Sequence, residues 1–107
     1  MPRYLIIAQY QTEGIRGVAS AGGSARRTAI EKMTADVGGR MESFDFAFGD
    51  DDAYVRVELP DDKTAAAVAM AVNGSGSTRA RTVVLLTPEE VDAAAQLKVG
   101  YVPPGQT

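Results

Sequence analysis

Residues 46–62 read FAFGDDDAYVRVELPDD: two alternating apolar stretches held apart by Gly49 and the run Asp50-Asp51-Asp52, then closed by Pro60-Asp61-Asp62. Alternation with period two is the mark of a half-buried strand. It extends upstream, so residues 40–48 and 53–59 read as two strands of one hairpin. Asp is favoured in tight hairpin turns because it tolerates the left-handed conformation. A two-residue turn at Asp50-Asp51 sets Phe48 against Ala53, Phe46 against Val55 and Phe44 against Val57. These pairs share one apolar face, which is the expected core. The opposite face then carries Ala47 with Tyr54, Asp45 with Arg56 and Ser43 with Glu58. A directly opposed Asp–Arg pair is worth roughly 0.2–1 kcal/mol, so charge and hydropathy support the same register.

Working outward, Tyr4 to Tyr10 is a compact run of β-formers and reads as a strand. Thr12 offers an N-cap to a helix starting near Glu13. Gly22-Gly23 interrupts that helix, and Ser24 is placed to cap a second piece. On the second piece Ala29, Ile30, Met33 and Val37 recur at helical spacing, and Gly38-Gly39 supplies the stop. Asp61 caps an alanine-rich helix from Thr64 to Val72 that ends at Asn73-Gly74. Arg79 to Leu86 is a fourth strand. Thr87-Pro88-Glu89-Glu90 combines a capping box with proline in the first helical turn, opening a last helix to about Lys98. Tyr101 onward is an irregular tail.

The order strand, helix, strand, strand, helix, strand, helix predicts an α+β fold. It is a ferredoxin-like split βαβ repeat with a four-stranded antiparallel sheet, plus a C-terminal helix. Helices on one face leave the other sheet face to be covered by dimerisation. Arg79 and Arg81 are expected to join that semi-polar face. With 107 residues, 45% hydrophobic and 23% charged, the chain fits a single globular domain, residues 1–107.

Absences narrow the chemistry. With no cysteine, disulfides, thiolate catalysis and cysteine-ligated metals are excluded, and with no histidine the commonest general base and metal ligand is gone. No cofactor is expected. A net charge of −3 with scattered basic residues argues against nucleic acid as a partner. The apolar run at the N-terminus is too short for a signal peptide, and no stretch approaches the ~20 apolar residues of a membrane span. A cytoplasmic location without membrane attachment is the default expectation.

The segments TEGIRG, GGSARRTAIEKMTADVGGR, FAFGDDDAYVRVELPDD and LLTPEEVDAA occur in the order and spacing of GYD-domain proteins, which the chain resembles over residues 2–97. That family is bacterial and archaeal and largely of unknown function. The resemblance implies a dimeric αβ-barrel, in which two sheets face each other, and hence a homodimer or higher homo-oligomer. The naming motif maps onto Gly49-Asp50-Asp51-Asp52, departing from it at Asp51, where the family has tyrosine. Ser24-Ala25-Arg26-Arg27 matches the family's Ser-x-Arg-Arg element. No reaction comes with the resemblance, so no catalytic residue is assigned.

Three groups are candidate sites. The aspartate run has the charge for a hard cation, but consecutive side chains in a tight turn diverge, and turn chemistry is the preferred reading. Ser24, Arg26 and Arg27 follow a glycine-rich helix start, where backbone N–H groups and guanidinium forks bind carboxylate or phosphate. Solvated or intersubunit arginines are the simpler alternative. Asp45, Tyr54 and Arg56 on the semi-polar sheet face would line the space between subunits, as ligand contacts or as structural ion pairs. Phe44, Phe46 and Phe48 read as core. The leading expectation is a homo-oligomeric small-ligand-binding or regulatory module that takes a small anionic metabolite. A cofactor-independent enzyme of the barrel type, with Asp45 or Glu58 as base and Arg56 or Arg26 steadying an anion, is the second. A purely structural assembly subunit is the third.

Overall fold

Apolar residues fall on both faces of the first strand, which suits it to the interior of a sheet. In the computed structural model, which describes residues 1–106, β1 (Arg3–Tyr10) takes that place. It is followed by α1 (Thr12–Ala21), α2 (Gly23–Asp36), β2 (Arg40–Phe46), β3 (Ala53–Glu58), α3 (Asp62–Gly74), β4 (Thr78–Leu85) and α4 (Pro88–Ala95). The sheet order is β2-β3-β1-β4 and every neighbouring pair is antiparallel. This is the predicted ferredoxin-like α+β arrangement.

One sheet face carries the core. Tyr4, Ile6, Val55 and Val57 pack with Leu59, Ala65 and Val68, and Ile30, Met33, Phe44 and Val72 close around them. Burying each large side chain contributes about 1.5–3 kcal/mol. Tyr4 also needs a polar partner, because its ring is fully buried. Its hydroxyl donates to Asp62 Oδ1 at 2.6 Å, and that bond, reinforced by burial, pushes the Tyr4 pKa up to about 12.

Local signals account for most boundaries. Gly22, with φ of 94°, breaks α1 from α2, a backbone conformation that glycine alone adopts cheaply. Ser24 does not cap α2: it lies inside the helix, which starts at Gly23 with Gly22 as N-cap and no side-chain cap bond. Thr12 likewise lies inside α1, whose N-cap is Gln11. Gly38, at φ of 85°, ends α2 as expected. Asp61 Oδ1 accepts from the Thr64 N–H at 2.8 Å, and Thr87 with Glu90 forms the full capping box. α4 stops at Ala95, short of Lys98.

The hairpin is shifted by two residues from the predicted register. Phe46 opposes Ala53, Asp45 opposes Tyr54, Phe44 opposes Val55 and Ser43 opposes Arg56. A bulge at Glu42 follows, after which Met41 meets Val57 and Arg40 meets Glu58. The predicted two-residue turn is replaced by a loop over 47–52, closed by the Ala47 N–H on the Asp52 carbonyl at 3.0 Å. The cause lies outside the hairpin. The Asp52 N–H donates to the Ala8 carbonyl at 2.9 Å, and its carboxylate accepts from the Tyr10 N–H at 2.8 Å. Asp52 is therefore held by β1 and is not free to pair with Gly49.

A shift of two preserves side-chain facing, so Phe44 and Phe46 stay on the core side with Val55 and Val57. Phe48 does not follow them. It is 57% exposed at φ of 52° and stacks on Phe46, with centroids 5.4 Å apart.

Gly39 joins α2 to β2 where a Cβ would collide with the Glu58 carbonyl and lie 2.8 Å from Leu59 Cδ2. Gly49, by contrast, has open space around it. Gly39→Ala is expected to cost about 1–3 kcal/mol in urea unfolding, whereas Gly49→Ala stays within about 0.5 kcal/mol of the parent.

Candidate functional site: a groove beside Arg26 and an uncovered sheet face

α1 carries Gly14, Gly17 and Ala21, small residues at helical spacing that share a face. α2 lies alongside, and between them opens a cavity of about 400 Å³ bounded also by Tyr10, Val18 and Arg26. The lack of side-chain bulk on α1 creates the space. Close approach at its far end is also a glycine effect, since a Cβ on Gly14 would meet the Ser77 carbonyl. Arg26 sits with its guanidinium carbon 5.9 Å from the centre of the Tyr10 ring, a cation–π distance. Its Nε is buried and has no hydrogen-bond partner among the described residues.

The other two residues of that predicted group are elsewhere. Arg27 turns away from the cavity, is 57% exposed and pairs with Glu31 at 3.7 Å. Ser24 is exposed, and its carbonyl accepts from Thr28 Oγ1 at 3.0 Å. Both border a shallow depression with Phe44 and Phe46. Adjacent positions on a helix point about 100° apart, so a consecutive Arg-Arg pair is divided between two surfaces.

Among the described residues, the second sheet face has no helix layer of its own. By register Leu5 lies between Arg56 and Val83, and Ile7 between Tyr54 and Arg81. Charged pairs border this apolar middle. Arg3 grips Glu42 with Nε to Oε1 at 2.9 Å and Nη2 to Oε2 at 3.1 Å. Arg40 meets Glu58 at 2.8 Å and Arg81 meets Asp51 at 2.9 Å. The fork from Arg3 holds the Glu42 carboxyl below its ordinary range against the opposing effect of burial, and the nearby Arg40 and Arg56 charges add to it.

The predicted Asp45–Arg56 opposition is not formed. Asp45 is exposed on the edge strand opposite Tyr54, and Arg56 is exposed opposite Ser43 and Leu5. Arg79 and Arg81 do join this face. The aspartate run is an anchor: the Asp50 carbonyl accepts from Gln9 Nε2 at 2.7 Å, Asp51 binds Arg81, and Asp52 binds Tyr10. Among the described residues, no three acidic side chains converge to hold a metal ion.

Sequence reading did not single out Tyr10 and the small face of α1. The spacing Gly14-x-x-Gly17-x-x-x-Ala21 is visible, but it becomes a groove only when α2 lies beside it. The Arg3–Glu42 fork depends on the bulge at Glu42, which no local pattern announces.

Together, a one-sided open antiparallel sheet, its split βαβ connectivity and a helix-flanked groove define the class as ferredoxin-like α+β. More specifically, a family model described as the GYD domain matches residues 4–95, and the chain belongs to that family. Comparison with curated proteins and with solved structures gave no match. No helix among the described residues is long and apolar enough to cross a membrane.

Ionised Glu42 stabilises the fold above its ordinary pKa, and that contribution is lost as pH falls through its lowered folded value. The parent protein is therefore expected to lose stability below pH 4.5, the ordinary glutamate value, more steeply than Glu42→Gln. Urea midpoints across an acid series check this. Parallel curves would show that the Arg3 fork contributes nothing.

Proposed function

We propose that the protein is a homo-oligomeric binding or regulatory module. It takes a small anionic metabolite in the groove beside Arg26 and packs its open sheet face against a second copy as a dimeric αβ-barrel. The observation that carries the ligand reading is that Arg26 borders a cavity of about 400 Å³ and its guanidinium has no hydrogen bond or ion pair among the described residues. Nε itself is closed off, so an anion in the cavity meets the outer guanidinium nitrogens of Arg26, where a carboxylate or phosphate oxygen accepts a charge-assisted hydrogen bond. The cavity is within the usual range for small-molecule sites, roughly 300–1,000 Å³. Its walls are mainly apolar, with Tyr10 beside Arg26 and Glu13 the one acidic residue on the lining. That combination suits an anion carried on a compact apolar body.

The subunit reading rests on the composition of the open face. Half-buried Leu5 and exposed Val83, next to Ile7 and within a rim of ion pairs, match the anatomy of a protein interface. The catalytic alternative gains no support. Asp45 is exposed and Glu58 is engaged by Arg40, so neither is the buried, isolated carboxylate that acid–base chemistry needs.

Calorimetric titration with a panel of small monocarboxylates and phosphate monoesters tests the site. Removing one charge-assisted hydrogen bond costs about 1.5–3 kcal/mol, so Arg26→Ala is expected to weaken binding by roughly ten- to a hundredfold. Arg27→Ala leaves it unchanged. Equal binding by the parent and Arg26→Ala would contradict the reading. For the interface, Leu5→Asp is expected to convert the assembly to monomers in sedimentation velocity.

A further inference from the structure

The segment after α4 has the pattern of a strand, and among the described residues, 97–101 make one backbone hydrogen bond, from the Leu97 N–H to the Ala94 carbonyl at 3.0 Å. Leu97-Lys98-Val99-Gly100-Tyr101 alternates apolar and non-apolar positions, and Pro103-Pro104 then stops any ladder. Leu97, Val99 and Tyr101 are 72%, 83% and 64% exposed. α4 itself buries no residue. The molecule is 58 Å long with a radius of gyration of 17.1 Å, against about 13 Å for a compact chain of this size. An arm of this composition is unfavourable in water.

The outer edge of β4 offers what the arm lacks. The Asn73 side chain imitates a neighbouring strand at Ala80, accepting from its N–H at 2.7 Å and donating to its carbonyl at 3.1 Å. The backbone groups of Ala80 therefore point outward, and by strand alternation so do those of Thr82 and Val84. No hydrogen bond from the described residues reaches these two on that side. Val83, Val84 and Leu86 add exposed apolar surface at the same end. The other sheet edge, β2, is interrupted by its bulge, a usual device against strand addition.

We propose that residues 97–101 form a strand on the outer edge of β4, beyond Asn73, in a second copy of this chain. Five residues of strand cover about 17 Å, enough to span the free edge from Thr82 to the end of β4 at Leu85. The capping box at Thr87 and Glu90 fixes the start of α4, and the arm leads away from its own sheet. Charge favours the exchange. With the arm parallel to β4, the α4 acids Glu89 and Asp92 lie toward the Thr78 end of that strand, beside Arg79, which has no ion pair among the described residues. The proposal shares with the preceding section the need for a second copy, but it does not require the sheet faces to meet.

The chain has no native cysteine, so single-cysteine copies report the contact directly. Val99→Cys and Val84→Cys copies with different tags are mixed and treated with a short bismaleimide. The expected product is the mixed dimer, with none from Val99→Cys and Val37→Cys. Deletion from Leu97 onward is expected to raise the dimer dissociation constant roughly tenfold or more, the effect of losing a few net hydrogen bonds and the apolar contacts. Absence of the mixed product overturns the proposal. So does linkage within one chain when both cysteines are placed on the same dilute monomer. A dimer that forms unchanged without the arm overturns it while leaving the sheet-face interface standing. A chain monomeric at every concentration overturns both.

Discussion

β1 is apolar on both faces, and this constraint governs the rest of the molecule. Tyr4, Ile6 and Ala8 face the helices, while Leu5 and Ile7 face the other way. The strand also carries hydrogen bonds to β3 on one side and β4 on the other. A strand of this kind belongs in a sheet covered on both sides. The connections over α1, α2 and α3 lay helices on one side only. The second face is left with a short apolar strip in which Ile7 is buried within its own sheet, Leu5 is half-buried and Val83 is exposed, bordered by the Arg3–Glu42 and Arg81–Asp51 pairs. The proposed assembly supplies the missing layer from another copy.

The same strand explains the aspartates. A hairpin governed by its own sequence would turn at Asp50-Asp51. Instead β1 captures Asp52 through both its N–H and its carboxylate, and the loop 47–52 adapts to that hold. Arg81 then fastens Asp51 from β4. Asp51 and Asp52 thus tie one sheet end together through a guanidinium and a backbone donor, and Asp50 adds its main-chain carbonyl, which accepts from Gln9.

Element types were legible because periodicity, caps and glycine stops are local. The core side of β2 and β3 was legible as well, since a two-residue slip leaves facing unchanged. The register itself was not, because Asp52 answers to partners 42 or more residues away in sequence. For the site, Arg26 was visible as part of a basic pair after glycines. Its separation from Arg27 follows from helix geometry, and its groove follows from the small face of α1 meeting α2. Those are tertiary facts, and Tyr10 enters the site only through them. Asp45 and Arg56 were drawn together by the assumed register and part with it.

Membership of the GYD domain family brings no assigned reaction to this chain, so the account rests on what its own residues can do. Its central claim is that Leu5 and Tyr54, half-buried in the single chain, are covered in the working protein. Hydroxyl-radical footprinting over a concentration series tests this most directly, with exposed Phe48 as an internal reference. The account predicts that Leu5 and Tyr54 become protected as concentration rises while Phe48 stays reactive. Undiminished reactivity of Leu5 and Tyr54 at every concentration would contradict it.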